Sequence, residues 1–149
     1  MGPDGDICIR AAVPTDVIVD LQGVARLRGV SSLQRLVDTR TGGVTVDGLF
    51  AAVGPLTART DFSFQATGRA GIGSDLLALN VTAVDAVSDG HLVVRSCSDS
   101  TETSNVNFRP STARAGLVLV RPDANGRVCV RAAVGTHLIV DYVGSFAAS

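Results

Sequence analysis

Lysine is absent from this chain, glutamate occurs once, at Glu102, and there is no tryptophan. Lys and Glu dress the outer faces of most helices, so their scarcity argues against long amphipathic helices. Aromatic residues make up only 4% of the chain against 46% apolar overall, which leaves Val, Leu, Ile and Ala to fill the interior. No apolar run approaches the ~20 residues a membrane helix needs, and no signal peptide is present. With a net charge of −1 and no basic run, neither nucleic acid nor an anionic membrane has an electrostatic reason to bind. A hydrolase elbow of the G-x-S-x-G type is missing too, as are the Cys and His pairs of a zinc site.

What is there favours strands and turns. All thirteen basic residues are Arg, and thirteen of the fourteen acids are Asp, a composition that suggests a GC-rich coding genome. At 149 residues the chain suits one domain that buries roughly 70% of its unfolded surface. The most informative stretch is 123–144, DANGRVCVRAAVGTHLIVDYVG. Asn125-Gly126 is a hairpin signal, the residues after it alternate with period 2, and a second strand follows from Thr136, so the stretch reads as a β-hairpin. It has an earlier copy at 3–23, PDGDICIRAAVPTDVIVDLQG. There Gly5, Cys8, Arg10, Ala11, Ala12, Val13, Thr15, Ile18, Val19, Asp20 and Gly23 match residues 121 positions later.

Taken in order, 1–23 is this hairpin and 24–33 a linker, and 34–149 is the main domain. Residues 35–43 read as a short strand ending in a Gly-Gly turn, with Leu36 and Asp38 on one face and Val37 and Thr39 on the other. DFSFQATG at 61–68 is a strand, and 76–97 reads as a second hairpin turning at Asp89-Gly90. Strands at 104–108 and 116–122 complete about eight after residue 33, at the spacing of sandwiches and barrels. The expected fold is all-β, an antiparallel β-sandwich of jelly-roll type. Asp-Gly or Asn-Gly pairs at 47, 89 and 125, about forty residues apart, admit a three-fold β-trefoil or β-prism instead. The expected core is Phe62, Phe64, Leu77, Leu79, Val81, Leu92, Val94, Val128, Val130, Leu138 and Val140.

Few residues suggest chemistry. Asp38-Thr39-Arg40 is a dense polar cluster beside an apolar run, either a ligand site in which Arg40 forks onto a carboxylate or sugar hydroxyl, or a structural Asp–Arg pair with Thr39 bonding its own turn. His137 and Asp141 sit four residues apart on the last strand, and with Asp38 they are the only basis for a hydrolase reading. The earlier hairpin has Asp16 where the later has His137, so His is not required there. Asp85, Asp89, Asp99, Glu102 and Asp123 lack calcium-loop spacing, and no metal or cofactor is expected. Asn80-Val81-Thr82 fits a glycosylation acceptor but lies in a strand expected to be buried.

RLVDTRTGG, LNVTAV, DGHLVVRSC, SNVNF, GRVCV and THLIVDYVGSF, in that order from about 34 to 147, together resemble a repeat domain of exported actinobacterial proteins. That domain occurs in tandem or appended to secreted hydrolases and has no assigned activity. The resemblance implies an extracellular accessory or cell-surface module with a disulfide between Cys97 and Cys129, and it supplies no catalytic residue. Alternation puts both cysteines on the Arg-bearing faces of their strands; if those strands are neighbours, the bridge closes and Cys8 is a free thiol. The hairpin at 3–23 departs from the plain repeat, looks like the end of a preceding copy, and offers an edge for a dimer or a strand-swapped assembly. Three functions follow: a non-catalytic adhesion module binding glycan or protein through Asp38, Arg40, His137 and Asp141 or the loops 69–75, 97–104 and 109–114; a spacer repeat of an extracellular array; and, third, a hydrolase.

Overall fold

The computed structural model describes residues 10, 12–14, 27–28, 33–73 and 76–146. Most of the earlier hairpin, Cys8 and most of 24–33 lie outside them. Nine strands are present: β1 (Leu27–Arg28), β2 (Gln34–Asp38), β3 (Asp61–Gln65), β4 (Leu76–Val84), β5 (Gly90–Ser96), β6 (Val106–Phe108), β7 (Arg114–Val120), β8 (Arg127–Ala132) and β9 (His137–Phe146). There is no helix among the described residues.

The strands form two antiparallel sheets. In one, β4 lies along one side of β9 and β2 along the other, and β7 follows β4, giving the order β2-β9-β4-β7; β1 adds to the same side of β9 as β2. In the other the order is β3-β8-β5-β6. Two four-stranded orders with connections that cross between them describe a jelly roll, and the trefoil and prism alternatives fall away. The eleven expected core residues all belong to the interior, ten of them buried and Phe62 at its margin against Phe50. Leu36, Val37, Val106, Phe108, Val118, Val120 and Tyr142 join them.

Four expectations are corrected. Residues 123–144 and 76–97 are not hairpins, because β8 and β9, like β4 and β5, belong to opposite sheets. Turn chemistry reads the local reversal, but each of these strands has its own buried face, and closing one core puts successive strands on opposite sides of it. Of the turn glycines, Gly126 has φ of 77° and Gly90 has no positive φ. Gly90 opens β5, where a Cβ would run into Val134 and Phe108. Finally, Leu36, Val37, Asp38 and Thr39 do not alternate; all four are buried. A bulge between Arg35 and Val37 breaks the period, and the loop after β2 covers what would have been the open edge. The linker reading of 24–33 also gives way at Leu27–Arg28, which pairs with Phe146 and Ser145.

That covering loop spans 39–60. Val46 N–H donates to Arg35 O, Asp38 N–H to Phe50 O, Ala52 N–H to Asp38 O and Gly54 N–H to Thr39 O, so the backbone groups of β2 are satisfied from outside the sheet. Arg69, itself buried, pins the loop from beneath: its guanidinium forks onto Asp47 and donates to the carbonyls of Leu36 and Gln65. The Phe50 ring packs over that guanidinium at 5.2 Å and edge-on to Phe62 and Phe64. Phe50 and Ala52 hold φ of 57° and 53°, a conformation that side chains rarely adopt without such bracing.

Candidate functional site

The polar cluster at the end of β2 assembles four charges. Asp38, the last residue of the strand, is only 1% exposed. Its Oδ1 accepts Arg40 Nε at 2.9 Å and Arg40 N at 3.3 Å; its Oδ2 accepts Arg40 Nη2 at 2.7 Å and Arg35 Nη1 at 3.2 Å. Arg35 in turn forks onto Asp141 across the β2–β9 pair, at 2.9 and 3.2 Å. The result is a chain Arg40–Asp38–Arg35–Asp141. The two guanidinium-bearing side chains are 38% and 40% exposed, whereas the carboxylate between them is sealed. Its pairing with the Arg40 guanidinium holds the Asp38 carboxyl below the usual carboxylate range, against the opposing effect of burial.

Glycine makes this closure possible. Gly42 turns the chain with φ of 74°, and at Gly43 a Cβ would lie 2.4 Å from Asp38 O and 2.8 Å from its carboxylate. The Gly-Gly turn therefore folds back onto Asp38 and leaves an open cleft of about 390 Å³ lined by Arg35, Asp38, Arg40, Thr41, Gly42 and Val44 with Gly43. Arg40 Nη1 has no hydrogen-bond partner among the described residues, so this guanidinium, held by Asp38 along one edge, keeps a donor for a ligand. Val44 lines the cleft and is exposed; Val46, Leu49 and Val53 stand exposed farther along the braced loop.

Of the residues singled out in the sequence, Asp38 and Arg40 line the cleft. Asp141 joins them only through Arg35, which sequence reading missed; its signal was the register Arg35↔Asp141, a property of the strand pair and not of either strand. His137 is tied instead to Thr39. Leu138 N–H donates to Thr39 Oγ1 at 2.9 Å, and Thr39 Oγ1 lies 3.1 Å from His137 Nδ1. Thr39 thus fastens β2 to β9 and does not bond its own turn. No described hydrogen bond joins His137 to Asp38 or Asp141, and both carboxylates are occupied by arginine. The hydroxyl bonded to the His137 ring belongs to Thr39, which is fully buried.

The outer face of the other sheet carries a second cluster that sequence reading did not anticipate. Asp61 accepts Arg131 Nε and Nη2 at 2.9 and 3.1 Å and Arg95 Nη2 at 2.8 Å, and Arg131 also reaches Glu102. On the same face Cys97 and Cys129 are bridged, their Cα atoms 4.9 Å apart. Cys97 lies just past β5, in a turn, and not within the strand. Ser63, opposite Cys129 in the β3–β8 pair, accepts Arg127 Nε at 2.7 Å.

A larger cleft, about 560 Å³, opens between β6 and β7 and is lined by Asn107, Arg109 and Arg114 among others. No described hydrogen bond fixes those three side chains. A ligand there would have to order them itself, at a cost in affinity that the Asp38-held Arg40 avoids. Against known proteins, no family model matches this chain and no curated protein aligns with it.

Proposed function

We propose that this domain is a non-catalytic module of an exported, cell-surface protein and that it binds a glycan or protein at the Arg40 cleft. One observation carries the reading. A buried carboxylate presents a half-exposed guanidinium to an open cleft that the exposed Val44 also lines. An oriented Arg fork suits a carboxylate or vicinal hydroxyls, and the exposed Val44 suits the apolar face of a sugar or a peptide. A loop as long as 39–60, with only isolated bridges at Ala51 and Leu56, is uncommon in a compact domain, and loops of this length that are ordered are usually functional. The export half of the proposal is supported by the Cys97–Cys129 bridge, since disulfides persist in oxidising compartments.

Screening the protein against a glycan array and a cell-wall protein extract tests it. Binding is expected, and Arg40→Ala is expected to abolish it while the melting transition stays cooperative. A null on both screens, or binding indifferent to Arg40→Ala, removes the proposal. A spacer role is the second reading, favoured by the dense internal copy at residues 3–23, which suggests an array of like domains.

A further inference from the structure

The eleven residues shared between 3–23 and 124–144 fall where β8 and β9 do their structural work. Gly126 lies so close to Thr67 that a Cβ would overlap its hydroxyl, and Cys129 is bridged to Cys97. Arg131 forks onto Asp61, and Asp141 is held by Arg35. Thr136 Oγ1 bonds Val84 O, and Ala132 and Val140 are fully buried. Their counterparts Gly5, Cys8, Arg10, Asp20, Thr15, Ala11 and Val19 retain these identities. Each calls for a partner, and the Cys97, Asp61 and Arg35 of this sandwich are already engaged. β8 and β9 are also central strands, flanked on both sides by β3 and β5 and by β2 and β4. Residues 3–23 carry the sequence of strands that need a second set of neighbours.

Strand directions say how that second set would sit. β1 is antiparallel to β9, with Leu27 opposite Phe146. The chain therefore enters the sandwich at the end where β9 leaves it. The loops 66–73, 97–105 and 121–126 lie at this junction end; 85–89, 109–113 and 133–136 lie at the other, together with the start of β9 and the Arg40–Val44 turn that follows β2. Position 144, the last of the matching residues, corresponds to Gly23, so only residues 24–26 separate the copied strand from β1. At about 3.3–3.6 Å per residue, Gly23 and Leu27 are no more than about 14 Å apart.

Resting on the reading of residues 3–23 as the end of a preceding copy, we infer that the two copies meet junction end to junction end with their Arg40 clefts directed apart. Each copy has entry and exit at one end, so a series of copies gains only the length of a short linker per domain and displays its clefts outward. This arrangement serves multivalent binding better than it serves spacing, and it holds whatever ligand the cleft takes.

The test is a two-copy protein in which residues 27–123 are placed directly ahead of residue 3 of the full chain. Non-reducing peptide mapping is expected to find Cys8, alkylated in the present chain, linked to the Cys97 of the added copy. Hydrogen exchange of residues 11–20 is expected to slow to the rate of residues 132–141. Distances between genetically encoded spin labels, one per copy, are expected to be shorter at Thr103, on the junction end, than at Ala113, on the far end. Cys8 remaining open to alkylation, or a Thr103 pair farther apart than the Ala113 pair, overturns the inference. The present chain gives an independent check: a Cys8 bridge to Cys97 or Cys129 within one monomer would overturn it as well.

Discussion

Two aspartates in this sandwich are each gripped by a pair of arginines, and they differ in which charge is hidden. At Asp38 the acid is buried and both bases reach outward; at Asp61 the acid is 33% exposed and one of its bases, Arg95, is only 8% exposed. A buried acid with exposed bases is a mount that offers guanidinium to solvent. An exposed acid over a buried base neutralises a charge the fold has enclosed. The first arrangement can serve a ligand, and the second serves the sheet. Composition alone would have scored them alike.

Mutation separates them, and the largest effect is expected at Asp38. Asp38→Ala removes a sealed carboxylate that accepts four hydrogen bonds, three of them from guanidinium groups, and frees the Gly43 turn; at about 1.5–3 kcal/mol for a hydrogen bond to a charged group, a loss of about 3–5 kcal/mol in denaturant unfolding is expected. A loss under 1 kcal/mol would mean that water or a rearranged Arg35 replaces the carboxylate at little cost. Next comes the Cys97–Cys129 bridge, whose closed loop spans 32 residues. The Cys97→Ala, Cys129→Ala double variant should lose about 3–4 kcal/mol on the chain-entropy account. Because the bridge shares a face with Asp61, it should couple to Asp61→Ala and add independently to Asp38→Ala in a double-mutant cycle. Asp61→Ala itself should cost about 1–2 kcal/mol, since Arg95 Nη1 also donates to the carbonyls of Ser96 and Asp99. A cost equal to that of Asp38→Ala would erase the distinction drawn between the two clusters.

The smallest effect at neutral pH is in acid sensitivity. The carboxyls of Asp38, Asp47 and Asp61 are held below their ordinary range chiefly by hydrogen bonds from Arg40, Arg69 and Arg131. Each therefore adds stability that is complete above about pH 4, the unfolded carboxylate range, and is lost as pH falls through the depressed native value. Asp38→Asn should flatten the acid limb of a stability-against-pH curve more than Asp61→Asn does, and the reverse ranking would contradict the burial contrast.

How much of this was legible in the sequence differs between strand and pairing. The period-2 faces of Phe62, Phe64, Leu77, Leu79 and Val81 are written locally, and the core they predict is the core that forms. Asp38 and Arg40 were legible as a pair because they are two residues apart. Arg35 was not, since its role depends on lying opposite Asp141, 106 residues later. The bulge after Arg35 was invisible for the same reason: it is a mismatch between two strands. Asn125-Gly126 and Asp89-Gly90 announce reversals, but whether a reversal joins neighbours in one sheet or crosses the core is settled by what else needs covering. Arg69 read as part of a polar loop; only the fold turns it inward beneath Asp47 and Phe50.

The crossing connections also set the order in which this chain can become a protein. From β2 onward every link but β5–β6 jumps between sheets, so almost no ladder forms between sequence neighbours and folding is expected to be slow for its size. β9, the last strand synthesised, is the middle of its sheet and holds β2 and β4 together. A chain halted before residue 137 lacks the strand between β2 and β4, and in the folded state the Cys97–Cys129 bridge lies beside the β5–β8 pair. The strand that joins the two halves of this sheet is thus the last of the described strands to leave the ribosome, whereas the bridge belongs to the other sheet and its immediate turn.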